Sequence, residues 1–133
     1  MANLTTTVNS YKHLIIDNPT YTDELLTLGG ADVIAAGTIL ARSTATLKLV
    51  LYVKGGVTAG NGVPCAVLTY EVTATGAGDT PIRPLIGGEV NRTALIIDVD
   101  GTGANIDGTV VDLLRARGII PLPVANLSVL DNQ

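Results

Sequence analysis

The chain has 133 residues, 47% of them hydrophobic but only 3% aromatic, with no Phe and no Trp, so its core must be built from Val, Ile, Leu and Ala. A formal charge of −4 and a pI near 4.6 exclude the clustered Lys and Arg of a nucleic-acid footprint, and four tyrosines are too few for a base-stacking platform. The length suits one domain, and a mean hydropathy of +0.42 with 15% charged residues implies that another subunit or partner covers part of the apolar surface.

Residues 1–28 are rich in Thr and Asn, lack sustained periodicity and end at Gly29-Gly30. They read as an extended N-terminal arm. Within it Tyr11 to Ile16 is a short apolar patch bounded by Asp17-Asn18-Pro19, where Pro19 fixes its own φ and biases Asn18 toward extended geometry. Such a patch suits docking onto a partner, by adding a strand to a sheet edge.

From Ala31 onward the pattern is one of short strands punctuated by glycine. Leu47, Leu49, Leu51 and Val53 alternate with Lys48, Val50, Tyr52 and Lys54, which predicts a strand with four aliphatics on one face and both lysines on the other. Gly55-Gly56 and Gly60-Asn61-Gly62 mark a loop, Val63 to Val72 resumes as an apolar strand, and Thr75 to Asp79 turns again. Pro81 and Pro84 restrict the next segment to an edge or irregular strand. Leu95, Ile97 and Val99 then alternate with Ile96 and Asp98.

One helix is expected. Asp107 or Thr109 caps a run in which Val110, Val111, Leu113 and Leu114 form one face, closed by Arg115, Arg117 and Gly118. The expected fold is therefore mainly β: a small β-rich, barrel-like body over residues 29–120 with one short C-terminal helix, preceded by the arm at 1–28. The tail at 121–133 reads either as a last strand or as a second docking segment.

Catalytic machinery is sparse. His13 is the only histidine and lies in the arm, and the lone Cys65 sits in an apolar strand, where a thiol is a small buried hydrophobe and cannot form an internal disulfide. Asp98 and Asp100, followed by Gly101, resemble the start of a calcium loop, but the twelfth position is Thr109 and not the closing Glu. Gly101-Thr102-Gly103 lacks the third glycine of a dinucleotide fingerprint. The sequence thus predicts no enzyme, no cofactor and no metal site, with a small metal- or ligand-binding β domain built on Asp98 and Asp100 as the alternative. The longest apolar stretch, Val33 to Ala41, falls short of the roughly 18 residues of a membrane helix, and no secretory signal is expected from the first dozen residues.

Five blocks then occur in order: Gly37-Thr38-Ile39-Leu40, Lys48-Leu49-Val50, Pro64-Cys65-Ala66-Val67-Leu68, Gly88-Glu89-Val90-Asn91 and Ala116-Arg117-Gly118-Ile119-Ile120. Together they resemble the head decoration proteins of tailed bacteriophages, of the lambda type, across residues 29–120. The chain departs from that pattern at Pro64-Cys65-Ala66, where a glycine is expected, and at Gly87, where arginine is common. The resemblance implies a homotrimer that binds the major capsid protein on the outside of the expanded head, at three-fold and quasi-three-fold sites. It implies a virion protein, assembled in the bacterial cytoplasm, that stabilises the shell against DNA pressure. On this reading Tyr11, Leu14, Ile15, Ile16 and Tyr21 are the capsid-facing contacts of the arm, with Pro19 as its bend. A head-completion or tail component is the alternative structural role.

Overall fold

A computed structural model describes residues 14–98 and 106–123. In chain order the strands are β1 (Ile15–Tyr21), β2 (Glu24–Leu28), β3 (Asp32–Ile34), β4 (Ile39–Arg42), β5 (Leu49–Leu51), β6 (Pro64–Val67), β7 (Val72–Ala74), β8 (Gly78–Ile82) and β9 (Leu85–Asn91). A 3-10 turn at Arg92–Ala94, helix α1 (Gly108–Arg115) and strand β10 (Ile119–Leu122) complete the chain. The fold is mainly β with one short helix, as expected.

One large sheet runs in the order β1-β9-β6-β4-β5-β2-β8, with β10 added parallel to β9, while β3 and β7 form a separate pair. The middle strands are apolar on both faces because both faces are covered. Ile39, Leu40 and Ala41 of β4 are all fully buried, and successive side chains point to opposite sides of the sheet. Ile39 and Ala41 enter one core with Tyr52, Val67, Leu85 and the helix; Leu40 enters a second core with Leu26, Ile34, Leu49 and Leu68. Tyr52 takes the part a Phe would usually play, and burial pushes its phenol pKa up.

The five blocks that carry the family resemblance fall on β4, β5, β6, β9 and the turn into β10. The first four are contiguous in the sheet and β10 lies against β9, so the resemblance traces the center of the fold.

Helix α1 follows its sequence signals. The Asp107 carboxylate accepts from the Thr109 and Val110 amides, and Val110, Val111 and Leu114 are buried against the first core. Each such aliphatic side chain contributes roughly 1.5–3 kcal/mol on burial. Gly118, at φ +86, ends the turn after the helix, and its carbonyl accepts from Gly88 of β9.

Five expectations need correction. The strand expected from Val63 to Val72 is broken, since β6 ends at Val67 and Val72 opens β7, which pairs with β3 in the separate sheet. Residues 14–28 are not an arm: β1 pairs antiparallel with β9, and β2 pairs with β8 from Glu24↔Ile82 to Leu28↔Gly78, with Leu26 and Leu28 buried. Asn18 is left-handed at φ +52 and not extended, since it sits in the irregular middle of β1. The Leu47–Val53 alternation shrinks to Leu49–Leu51, because Leu47 is still in a turn at φ +64 and Tyr52 points into the core rather than out with the lysines. Leu95 and Ile97 are buried, but their segment forms isolated bridges rather than a strand, among them the parallel bridge Thr38↔Ile96, and Val99 lies outside the described residues. The proline reading of the 78–84 segment fits: β8 is a terminal strand of the sheet and carries Pro81.

Candidate functional site

Of the residues assigned to docking, Tyr11 lies outside the described residues. The other five come together on or just before β1, the strand at one end of the large sheet. Leu14 and Ile15 are half-buried against the first core, and the Leu14 carbonyl accepts from the Asn91 amide at 2.7 Å. Ile16 is half-buried, while Pro19 and Tyr21 are exposed. The register shifts three times along β1, at Ile15/Asp17, Asp17/Thr20 and Thr20/Tyr21, so its outer edge is bent rather than a flat template for another strand. Gly88 makes the bend close: a β-carbon there would lie 2.6 Å from the Asn18 carbonyl oxygen, at a φ of +119.

At the opposite end of the sheet lies a surface with no counterpart in the sequence reading. The Arg42 guanidinium donates to both oxygens of Glu24, at 3.0 and 2.8 Å, and to the Leu47 carbonyl at 2.8 Å. This hydrogen bonding holds the Glu24 carboxyl below its ordinary pKa and raises that of Arg42. Beside the pair, Lys48 binds Asp79, which also accepts from Thr27, and both contacts lower the Asp79 pKa. Leu25, Leu47 and Val63 are exposed hydrophobics of this region. The run Ser43-Thr44-Ala45-Thr46, rich in turn-forming hydroxyls, was the signal that Leu47 belongs to a turn.

The residues weighed for chemistry do not converge. Cys65 is buried and desolvation raises its thiol pKa, which keeps it out of the reactive thiolate form. Burial, and then the charge of Asp32, raise the Asp98 pKa, while Asp100 and His13 lie outside the described residues. Among the described residues no three His, Cys, Asp or Glu side chains gather as a metal site, and no helix is long and apolar enough to cross a membrane.

The described residues form a small β body with two cores, ion-paired surface residues and apolar side chains held at the surface, the architecture of a small β-rich structural domain. The family model of bacteriophage lambda head decoration protein D matches residues 3–119, and the chain belongs to that family. Its role is therefore phage capsid decoration, as a component of the virion. No curated protein matches the chain.

Proposed function

We propose that the protein binds as a trimer to the outer surface of the expanded head, at three-fold and quasi-three-fold sites, and holds neighboring copies of the major capsid protein together against DNA pressure. The family match over residues 3–119 carries this reading. The excess of apolar residues in so small and weakly charged a chain supports the subunit contacts it requires.

Docking is assigned to residues 1–13, including Tyr11, together with the exposed side of β1 at Ile16, Pro19 and Tyr21. Leu14 and Ile15 pack on the body and anchor the docking segment at the start of β1. Three such segments on one trimer bind at high effective concentration once the first is seated, so each can be weak alone. Expansion of the shell creates the site, and the protein stabilises the expanded state by its difference in affinity for the two.

The test is co-sedimentation of the purified chain with expanded, DNA-free capsids. Saturation at three copies per three-fold site, lost when residues 1–13 are removed, supports the reading. Failure of the full chain to bind overturns it and favors a head-completion or tail role.

A further inference from the structure

The loop between β5 and β6 contains the pair Asn61-Gly62, and its packing demands both residues. A β-carbon on Gly62 would run into the Gly56 carbonyl oxygen, and one on Gly56 would run into Oδ1 of Asn61, so the two limbs of the loop close only with glycine at both positions. Asn61 ties them together. Its amide donates to the Thr58 carbonyl at 3.0 Å, its carbonyl accepts from the Val53 amide at 2.9 Å, and its Oδ1 accepts from the Thr58 amide at 3.2 Å. The Ala59 carbonyl in turn accepts from the Thr44 amide at 2.9 Å, so the loop also backs the turn that leads to Leu47.

An asparagine followed by glycine carries its own nucleophile, held next to its target by the chain itself. The Gly62 nitrogen gives its proton to solvent and bonds to Cγ of Asn61, closing a succinimide ring. The bond from Cγ to the side-chain nitrogen breaks, and that group takes up a proton and leaves as ammonia. Water then opens the ring at one carbonyl to give aspartate or at the other to give isoaspartate. The loop favors the first step in three ways. Gly62 has no side chain to crowd the approach, and among the described residues its amide donates to no protein acceptor that would have to be given up. The Thr58 N–H on Oδ1 stands where negative charge develops as the nitrogen adds. Asn61 is only half-buried between exposed Thr58, Ala59 and Val63, so water reaches it. The other described asparagines lack these features. Asn18 precedes Pro19, whose nitrogen has no proton to lose, and Asn91 is 2% exposed, with its Oδ1 held by both the amide and the hydroxyl of Thr93.

We propose that Asn61 is a site of spontaneous modification in the folded protein, converting to aspartate and isoaspartate without an enzyme. The residue that makes Asn61 labile is the one the loop cannot replace, because Gly62 has no room for a side chain. The product adds a negative charge, and the isoaspartate form also adds a carbon to the main chain of a loop that is packed backbone on backbone. The hydrogen bonds from Val53 and Thr58 to Asn61 are lost first, and the one from Thr44 to Ala59 loosens with them.

The experiment holds the full, folded chain at mildly alkaline and mildly acidic pH in water labelled with heavy oxygen, and follows its peptides by mass spectrometry with chromatographic separation of aspartate from isoaspartate. The same chain unfolded in urea is the reference, and circular dichroism checks that the first sample stays folded. The expected result is one heavy oxygen gained at position 61 in both product forms, faster at alkaline pH, with conversion about tenfold or more faster than at Asn18 or Asn91. Asn61→Gln, whose longer side chain would have to close a larger ring, should lose the reaction. In the converted fraction the Val53 and Thr58 amides should exchange hydrogen faster than in the fresh protein. If Asn61 stays intact in the folded chain while the unfolded chain converts, the loop protects the residue and the proposal is overturned. Earlier conversion at another described asparagine overturns it as well, and unchanged exchange at Val53 and Thr58 overturns the opening of the loop.

Discussion

Arg42 and Glu24 face each other as a bidentate pair, Nη1 to Oε1 at 3.0 Å and Nη2 to Oε2 at 2.8 Å, and so join β4 to β2 across the end of β5. The same Nη1 holds the Leu47 carbonyl, so the pair fixes both a strand junction and the exposed turn.

Glu24→Gln is expected to destabilise the protein by about 1 kcal/mol at neutral pH, since the pair is partly screened by solvent. The Glu24 pKa is lowered by folding, so its contribution is present above its unfolded value of about 4.5 and is lost as pH falls through the folded value. Urea midpoints of wild type and variant should therefore differ at neutral pH and converge in acid. A gap that persists unchanged at about pH 3 rules out the charged pair as its source.

Gly88→Ala should loosen β1 selectively. The new β-carbon meets the Asn18 and Asp17 carbonyl oxygens at 2.6 and 3.0 Å, at a φ of +119 that alanine resists. The cost is on the order of 2 kcal/mol or more. Amide hydrogen exchange should show β1 losing protection while β4, buried in the middle of the sheet, keeps it. Equal loss in both strands would mean that β1 and the body unfold as one unit.

Helix α1 was legible because its signals are local: a capping Asp107, an apolar face at helical spacing and Gly118 within a dozen residues. The five blocks were legible as a family pattern, since each is a strand or turn whose residues are adjacent in sequence. What could not be read locally was the fate of residues 14–28. Their Thr and Asp content hides the inward pair Leu26 and Leu28, and the strand they pair with, β8, lies fifty or more positions away. Leu47 failed for the opposite reason. Its alternation with Leu49 and Leu51 is a strand signal, but the Ser43 hydroxyl and Arg42 satisfy the turn's backbone and override it. The surface around Leu47 therefore had no sequence signature, because it is assembled from five separate segments.

Replacing Asp107 separates its two tasks. Asp107→Asn keeps an acceptor for the Thr109 and Val110 amides but gives up the ion pair with Lys54, whereas Asp107→Ala loses both. Thermal midpoints should fall slightly for Asn and clearly for Ala. The Lys54 contact and then the cap amides lower the Asp107 pKa, so the wild-type advantage over Asn is lost as pH falls through that depressed value. Equal midpoints for Ala and Asn would show that the cap contributes nothing.

The docking segment can be tested by truncation only if the cut respects the sheet. Removing residues 1–28 deletes β1 and β2 and with them Leu26 and Leu28, both buried in the second core. Emptying two such core positions costs roughly 2–5 kcal/mol each, and with the strand pairings lost as well this exceeds much of a domain's ~5–15 kcal/mol. The shorter chain is expected to be unfolded by circular dichroism, so its failure to bind capsids would carry no information about docking. Removing residues 1–13 leaves every described strand in place, and that variant is expected to keep a cooperative melt close to wild type. If the 1–13 deletion melts early instead, residues ahead of β1 contribute to the body, and the division of labor between docking segment and sheet moves toward the N-terminus.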